Sequence, residues 1–194
     1  RHLFNACKNQ SIDIQFSATV QSFAKAKGKV VIDLDSGLSI DTQKLIICTN
    51  AFTPHLVSDV DVVPYRNQVL VSDCIPNLKI KGTFHYDKGY IYFRNINNRL
   101  LIGGARNIDL MNEQTTDFGQ NETIIAYLKN FAESFLLADD FTIAHTWSGI
   151  IATGGSKEVI VKQIEADVFL GVRLGGMGVA SGSAVAQELI NLII

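Results

Sequence analysis

The sequence predicts a mixed α/β protein that carries two kinds of sheet, and three observations set that class. Lys44–Thr49 (KLIICT) is a short unbroken apolar run, the mark of a strand buried on both faces of a parallel sheet. Between Val62 and Gly103 strand-like runs follow one another at the spacing of a mixed or antiparallel sheet. Asn121–Phe135 and Ser183–Ile194 instead place their apolar residues at helical intervals: Ile124, Ile125, Leu128, Phe131 and Phe135 in the first, Val185, Leu189, Ile190 and Ile193 in the second.

The elements follow in chain order. Arg1–Asn9 reads as the tail of a helix with Leu3, Phe4 and Ala6 on its apolar side, and Ser11–Phe16 alternates as a strand would. Thr19–Lys25 and Lys29–Leu34 are strands around Lys27-Gly28, and the cluster Asp35-Ser36-Gly37 reverses the chain again, so Val20–Ile40 forms an antiparallel meander. The apolar run ends in Thr49-Asn50-Ala51-Phe52-Thr53-Pro54, a candidate ligand edge because α/β sheets bind beyond the carboxyl ends of their strands. Next come Val69–Val71 after Pro64, Thr83–His85, Tyr90–Arg94 and Arg99–Gly103. Thr115 or Thr116 is placed to cap the first amphipathic helix. Phe141–Trp147, Ile150–Ala152, Val159–Val161 and Val168–Val172 return to strand before the last helix.

Composition excludes several classes. Of 194 residues, 47% are hydrophobic and only 19% charged, which is a globular chain able to bury a core. A net charge of -2 gives no positive field for a phosphate backbone, so no nucleic-acid partner is expected. No apolar run nears the ~20 residues that span a bilayer, and no membrane partner is expected. The 3 cysteines, Cys7, Cys48 and Cys74, form no metal or disulfide pattern, which fits a reducing cytoplasmic setting and no metal site; Cys48 is expected in the core. His55, His85 and His145 have no carboxylate neighbour in sequence and are read as structural or exposed. The chain opens on Arg1 with no secretory pattern and reads as a piece of a longer protein.

The most specific stretch is Gly171–Gly182, a strand, a glycine-rich turn and the opening of the last helix. Glycines there let backbone approach a ligand, and free amides with the positive end of the helix dipole favour a negative group. Tight packing of helix on sheet would give the same pattern, and neither GxGxxG nor GxxxxGK[ST] occurs.

Five motifs in order carry a resemblance: Ile46-Ile47-Cys48-Thr49-Asn50-Ala51-Phe52, Pro64-Tyr65-Arg66-Asn67-Gln68, Asn98–Gly104, Trp147-Ser148-Gly149-Ile150, and Gly175–Gly178 before the last helix. Together they resemble the later part of D-amino-acid-oxidase-like FAD-dependent oxidoreductases of the glycine-oxidase and sarcosine-oxidase type, over nearly the whole chain. The family's patterns are "TGAW", "P.RGQ", "dGrlliGG", "WaGi" and "G..G.G". Asn50 stands for the usual Gly, Phe52 for Trp, and Asn67 for the Gly of "RGQ". The family's amino-terminal dinucleotide fingerprint is absent.

The resemblance implies an incomplete Rossmann-like FAD-binding domain in residues 1–62 and 141–194, with an inserted mixed-sheet substrate domain in residues 63–140. Val20, Thr49, Asn50, Ala51, Gly149, Gly175, Gly176, Met177, Gly178 and Val179 would contact FAD, held non-covalently and expected to be absent from this piece alone. Tyr90, Tyr92, Arg94 and Arg106 would bind a small amine or amino acid; Arg106 is the better carboxylate partner. The family's clamp Arg has no counterpart in Ile150–Gly155. No catalytic acid or base is assigned. The activity implied is oxidation of a C–N bond by hydride transfer, with the piece inactive by itself; the alternatives are a non-catalytic binding or assembly subunit on the same scaffold, or a flavin enzyme acting on a modified base or sugar acid.

Overall fold

The computed structural model describes residues 2–137 and 139–194. Helix α1 (His2–Asn9) opens the chain and buries none of its residues. The strand expected over Ser11–Phe16 does not form: Ile12, Ile14 and Phe16 alternate as expected but stay exposed, because no neighbouring strand among the described residues offers them a ladder. Strands β1 (Val20–Ala26), β2 (Lys29–Leu34) and β3 (Ser39–Thr42) make the expected antiparallel meander, and Phe23, Val30 and Ile32 turn inward from it.

Strand β4 (Leu45–Ile47) follows, then a 3-10 turn over Asn50–His55. Burial on both faces is not realised at β4, where Ile46 is 45% exposed and Cys48 is exposed rather than in the core. β4 lies at the edge of its sheet, so nothing among the described residues covers that flank.

The central sheet takes β5 (Val63–Ser72), β6 (Thr83–Tyr86), β7 (Ile91–Ile96) and β8 (Arg99–Gly104). Tyr90 falls outside β7, because it closes the 3-10 turn Asp87–Gly89 in a helical conformation (φ -68°, ψ -29°), its amide donating to the Asp87 carbonyl. Short α2 (Leu110–Glu113) and α3 (Glu122–Phe131) follow, α3 running on as a π-helical turn through Leu137. The cap of α3 is Asn121, not Thr115 or Thr116: its side chain accepts from the amides of Thr123 and Ile124. The two runs expected around Trp147 and Ile151 merge into one strand, β9 (Ile143–Thr153), and the five-stranded sheet has the order β6-β7-β8-β5-β9.

Strands β10 (Ile160–Glu165) and β11 (Val168–Val172) complete a second sheet of order β10-β11-β4, with β11 and β4 parallel. Helix α4 (Gly178–Ile193) begins inside the glycine turn, earlier than its apolar periodicity suggests, and seats Val185 and Leu189 against Phe169. No helix among the described residues is long and apolar enough to cross a membrane.

Two cores result. Leu70, Leu100 and Ile102 of the central sheet meet Ile124 and Leu128 of α3. Val30, Ile47, Val168, Leu170 and Val172 form the other, together with Ala51 and Ala152. Strand β9 reaches both, through Ile143 to the first and through Ile150 and Ala152 to the second.

Candidate functional site

Two structured regions hold the candidate residues. The first is the glycine turn. Strand β11 is followed by Arg173, whose φ of 63° turns the chain, and whose guanidinium is held by the carbonyl of Glu158 (2.7 Å), the hydroxyl of Ser156 (3.0 Å) and the carboxylate of Asp61. The Gly175 amide then donates to the Ala152 carbonyl (3.0 Å), and the Met177 amide to that of Leu174 (3.0 Å). In the turn and the start of α4, the amides of Gly176, Gly178 and Val179 meet no acceptor among the described residues. No acidic side chain stands in the first turn of α4 to oppose an anion.

A Cβ at Gly176 would meet nothing within 4 Å, and one at Gly178 only ordinary contact with Leu174. Packing of helix on sheet therefore does not require glycine at either place. The open space beside Gly176 leaves the backbone approachable there, and free amides of this kind favour a negative or electron-rich group.

Asn50 ties the loop after β4 to this turn: its Oδ1 accepts from the Leu174 amide at 3.1 Å. Its φ of 47° is left-handed, which explains how Asn can stand where the resembled family has Gly. Asn50→Ala is expected to cost about 1–3 kcal/mol in the full-length protein, from left-handed strain plus an unpaired amide, and Asn50→Gly less. Urea unfolding checks this; equal losses for Ala and Gly would count against the conformational part. Thr49 and Thr53 share a hydroxyl contact of 3.0 Å, and Ala51 is buried. Val20 lies in a different sheet, half-buried at the first position of β1.

The second region is the rim of the central sheet. Arg106 projects from the turn after β8, its guanidinium 4.9 Å from the ring centre of Tyr90 and 5.8 Å from that of Tyr65. No carboxylate among the described residues pairs with it. The Tyr90 carbonyl accepts from the Ala105 amide (2.7 Å), which fixes ring and cation in register. Tyr92 lies across Gly103, and a Cβ there would come within 2.6 Å of its hydroxyl oxygen; burial pushes this phenol's pKa up. Arg94 shares a face with Tyr92 but is exposed. The structure thus joins Tyr90 to Arg106, while Tyr92 and Arg94 sit along β7.

A polar cluster lies beside this rim, centred on a residue that the sequence did not flag. Glu113 is fully buried and takes Arg66 (Nη2 to Oε1, 2.8 Å), the Gln68 amide (3.0 Å) and the Asn121 amide (3.0 Å). Asp109 accepts from Asn112 and Asn121, and these bonds hold its carboxyl below the ordinary range. The only sequence signal was Arg66 and Gln68 in the second family pattern, Pro64–Gln68; Glu113 sits in an unremarkable polar stretch.

The model of the FAD dependent oxidoreductase family matches residues 1–192. No curated protein sequence matches the chain. Among solved structures, glycine oxidase from Bacillus cereus ATCC 14579 superposes with a TM-score of 0.80 at 16% identity, over 99% of this chain and 54% of its own. L-proline dehydrogenase from P. horikoshii gives 0.74 at 17%, over 91% and 49%, and an L-amino acid deaminase from Proteus vulgaris 0.72 at 15%, over 97% and 48%. These likenesses show the fold, and the chain spans about half the length of each structure.

Proposed function

Since the chain belongs to the FAD-dependent oxidoreductase family, we infer that it is the later half of an enzyme that oxidises a C–N bond of a small amine or amino acid. The observation that carries this reading is the glycine turn at the head of α4, with the amides of Gly176, Gly178 and Val179 unengaged and no steric need for glycine at Gly176. When bound, FAD supplies the acceptor for a hydride taken from the carbon beside the amine nitrogen, which leaves an imine.

The chain's own residues then have distinct tasks. The amides of Gly176, Gly178 and Val179 steady negative charge at the head of α4. Asn50 holds the loop Thr49-Asn50-Ala51 against that turn. Arg106, between two tyrosine rings and free of a carboxylate partner, binds the carboxylate of an amino-acid substrate. In this division residues 1–62 and 141–194 serve the cofactor and residues 63–140 the substrate, with β9 running between them. The three free thiols suit a cytoplasmic enzyme.

The test is the visible absorption spectrum of the purified full-length protein, followed by oxidation assays with glycine, L-proline and iminodiacetate. Flavin bands and turnover of one of these amines are expected. A full-length protein without flavin would favour the binding or assembly role. Arg106→Ala is expected to raise KM at least tenfold for the carboxylate-bearing amine that turns over best, with a smaller change in kcat. An unchanged KM would remove Arg106 from the site.

A further inference from the structure

Arg173 opens the glycine turn in a conformation that costs it free energy. Its φ of 63° is one that glycine adopts freely and a residue with a Cβ only under strain. The residue is nonetheless only 9% exposed, and every nitrogen of its guanidinium donates. Nε reaches the Glu158 carbonyl, Nη2 the Ser156 hydroxyl, and Nη1 both the carbonyl (3.1 Å) and the carboxylate of Asp61. Strain of this kind persists where the surroundings over-determine it.

Separate chain segments converge on that side chain. Asp61 lies just before β5, and Ser156 and Glu158 lie in the link between β9 and β10. The Asp61 carboxylate also accepts from the Gly155 amide, at 3.0 Å to each oxygen. Packing is tight there: a Cβ at Gly154 would come within 2.6 Å of the Asp61 carbonyl oxygen and 2.8 Å of Arg173 Cδ. The next two residues of the turn, Leu174 and Gly175, are tied to Asn50 and Ala152 by bonds between neutral groups. The tie at Arg173 is charge-assisted, and such bonds are about twice as strong. The free amide of Gly176 follows directly after these three anchored residues.

We propose that Arg173 is a positioning residue for the flavin: by clamping the start of the turn to Asp61 and to the β9–β10 link, it holds the amides of Gly176, Gly178 and Val179 where they steady the negative charge that arrives with the hydride. The assignment rests on the flavin-enzyme reading. Donors aimed in advance at developing charge need no reorganisation when it appears, so their effect depends on how rigidly the backbone holds them. A planar fork bonded on several sides restrains both the position and the rotation of the turn. A lysine would supply the charge without that geometry. The strain at Arg173 is thereby offset at the place where the turn has to be rigid.

The test uses the full-length protein, prepared as apoprotein and titrated with FAD, with the two-electron potential of the bound flavin measured in parallel. Arg173→Gly removes the clamp and the backbone strain together. It is expected to raise the Kd for FAD about tenfold, and to weaken binding of the reduced form about tenfold more than that of the oxidised form, a fall in potential of about 30 mV. Added n-propylguanidinium, which refills the space of the lost side chain, is expected to restore most of both losses, and n-propylammonium little. Gly154→Ala displaces the Arg173 side chain and is expected to lower the potential in the same direction. A lower Tm with Kd and potential unmoved overturns the proposal and makes Arg173 an ordinary structural ion pair. A weaker Kd with an unmoved potential also overturns it, since the amides would then have kept their aim. Should Arg173→Gly not fold, Arg173→Lys, which keeps the charge and loses the fork, is expected to show the fall in potential, and a parental potential there overturns the proposal. Each of these failures leaves the amine-oxidising reading standing. A parent protein that binds no FAD overturns both.

Discussion

Glu113→Ala is expected to lower the stability of the full-length protein by about 3–5 kcal/mol, the usual cost of removing one member of a buried ion pair. Glu113 is 0% exposed, and its carboxylate is the common acceptor for Arg66, Gln68 and Asn121. Its loss leaves a largely buried guanidinium without a counter-charge and two amides short of a partner. The guanidinium cannot escape by giving up its proton, because arginine stays charged in proteins even without such a partner. Glu113→Gln keeps one acceptor and is expected to cost less. The double change Arg66→Met with Glu113→Leu removes both charges and is expected to recover most of the loss. Urea midpoints of the three variants decide the matter. A loss below about 1 kcal/mol for Glu113→Ala would mean that the pair behaves as a solvated surface bridge.

Gly104→Ala ranks beside it. Gly104 has φ of +104°, a conformation that L side chains rarely adopt, and a Cβ would sit 1.9 Å from the Tyr90 carbonyl oxygen. Backbone strain and overpacking together are expected to cost about 2–6 kcal/mol. The carbonyl that would be displaced is the one that accepts from Ala105, next to Arg106. The variant should therefore also raise KM for carboxylate-bearing amines, because Tyr90 and Arg106 lose their register. A variant that keeps its Tm and its KM would show that the turn relaxes at little cost.

What the sequence made legible was whatever depends on near neighbours. Turn residues at Lys27-Gly28 and Asp35-Ser36-Gly37 marked the meander, and the period of Ile124, Leu128 and Phe131 marked α3. The glycine run before the last helix marked the turn at the head of α4. Other features depend on distant partners. Burial of Glu113 is decided by Arg66 and Gln68, more than forty residues earlier, and nothing in the LMNE segment announces it. Cys48 and Ile46 look like core by composition, yet edge position in the sheet leaves them exposed. The clamp at Arg173 likewise has no local signature, because its partner Asp61 lies more than a hundred residues earlier.

Strand β9 bears on how this chain can fold. It pairs along its length with β5, and the pair Val63 and Thr153 stand 90 residues apart in sequence. During synthesis from the amino terminus, β5 emerges long before its partner, so one edge of the central sheet stays open until β9 has left the ribosome. Closing so long a loop slows the search for the native pairing. Because the same strand also delivers Ile150 and Ala152 to the second core, neither core can be finished early. The nascent protein is thus committed to a late and nearly simultaneous consolidation, with its unpaired edge in need of protection until then.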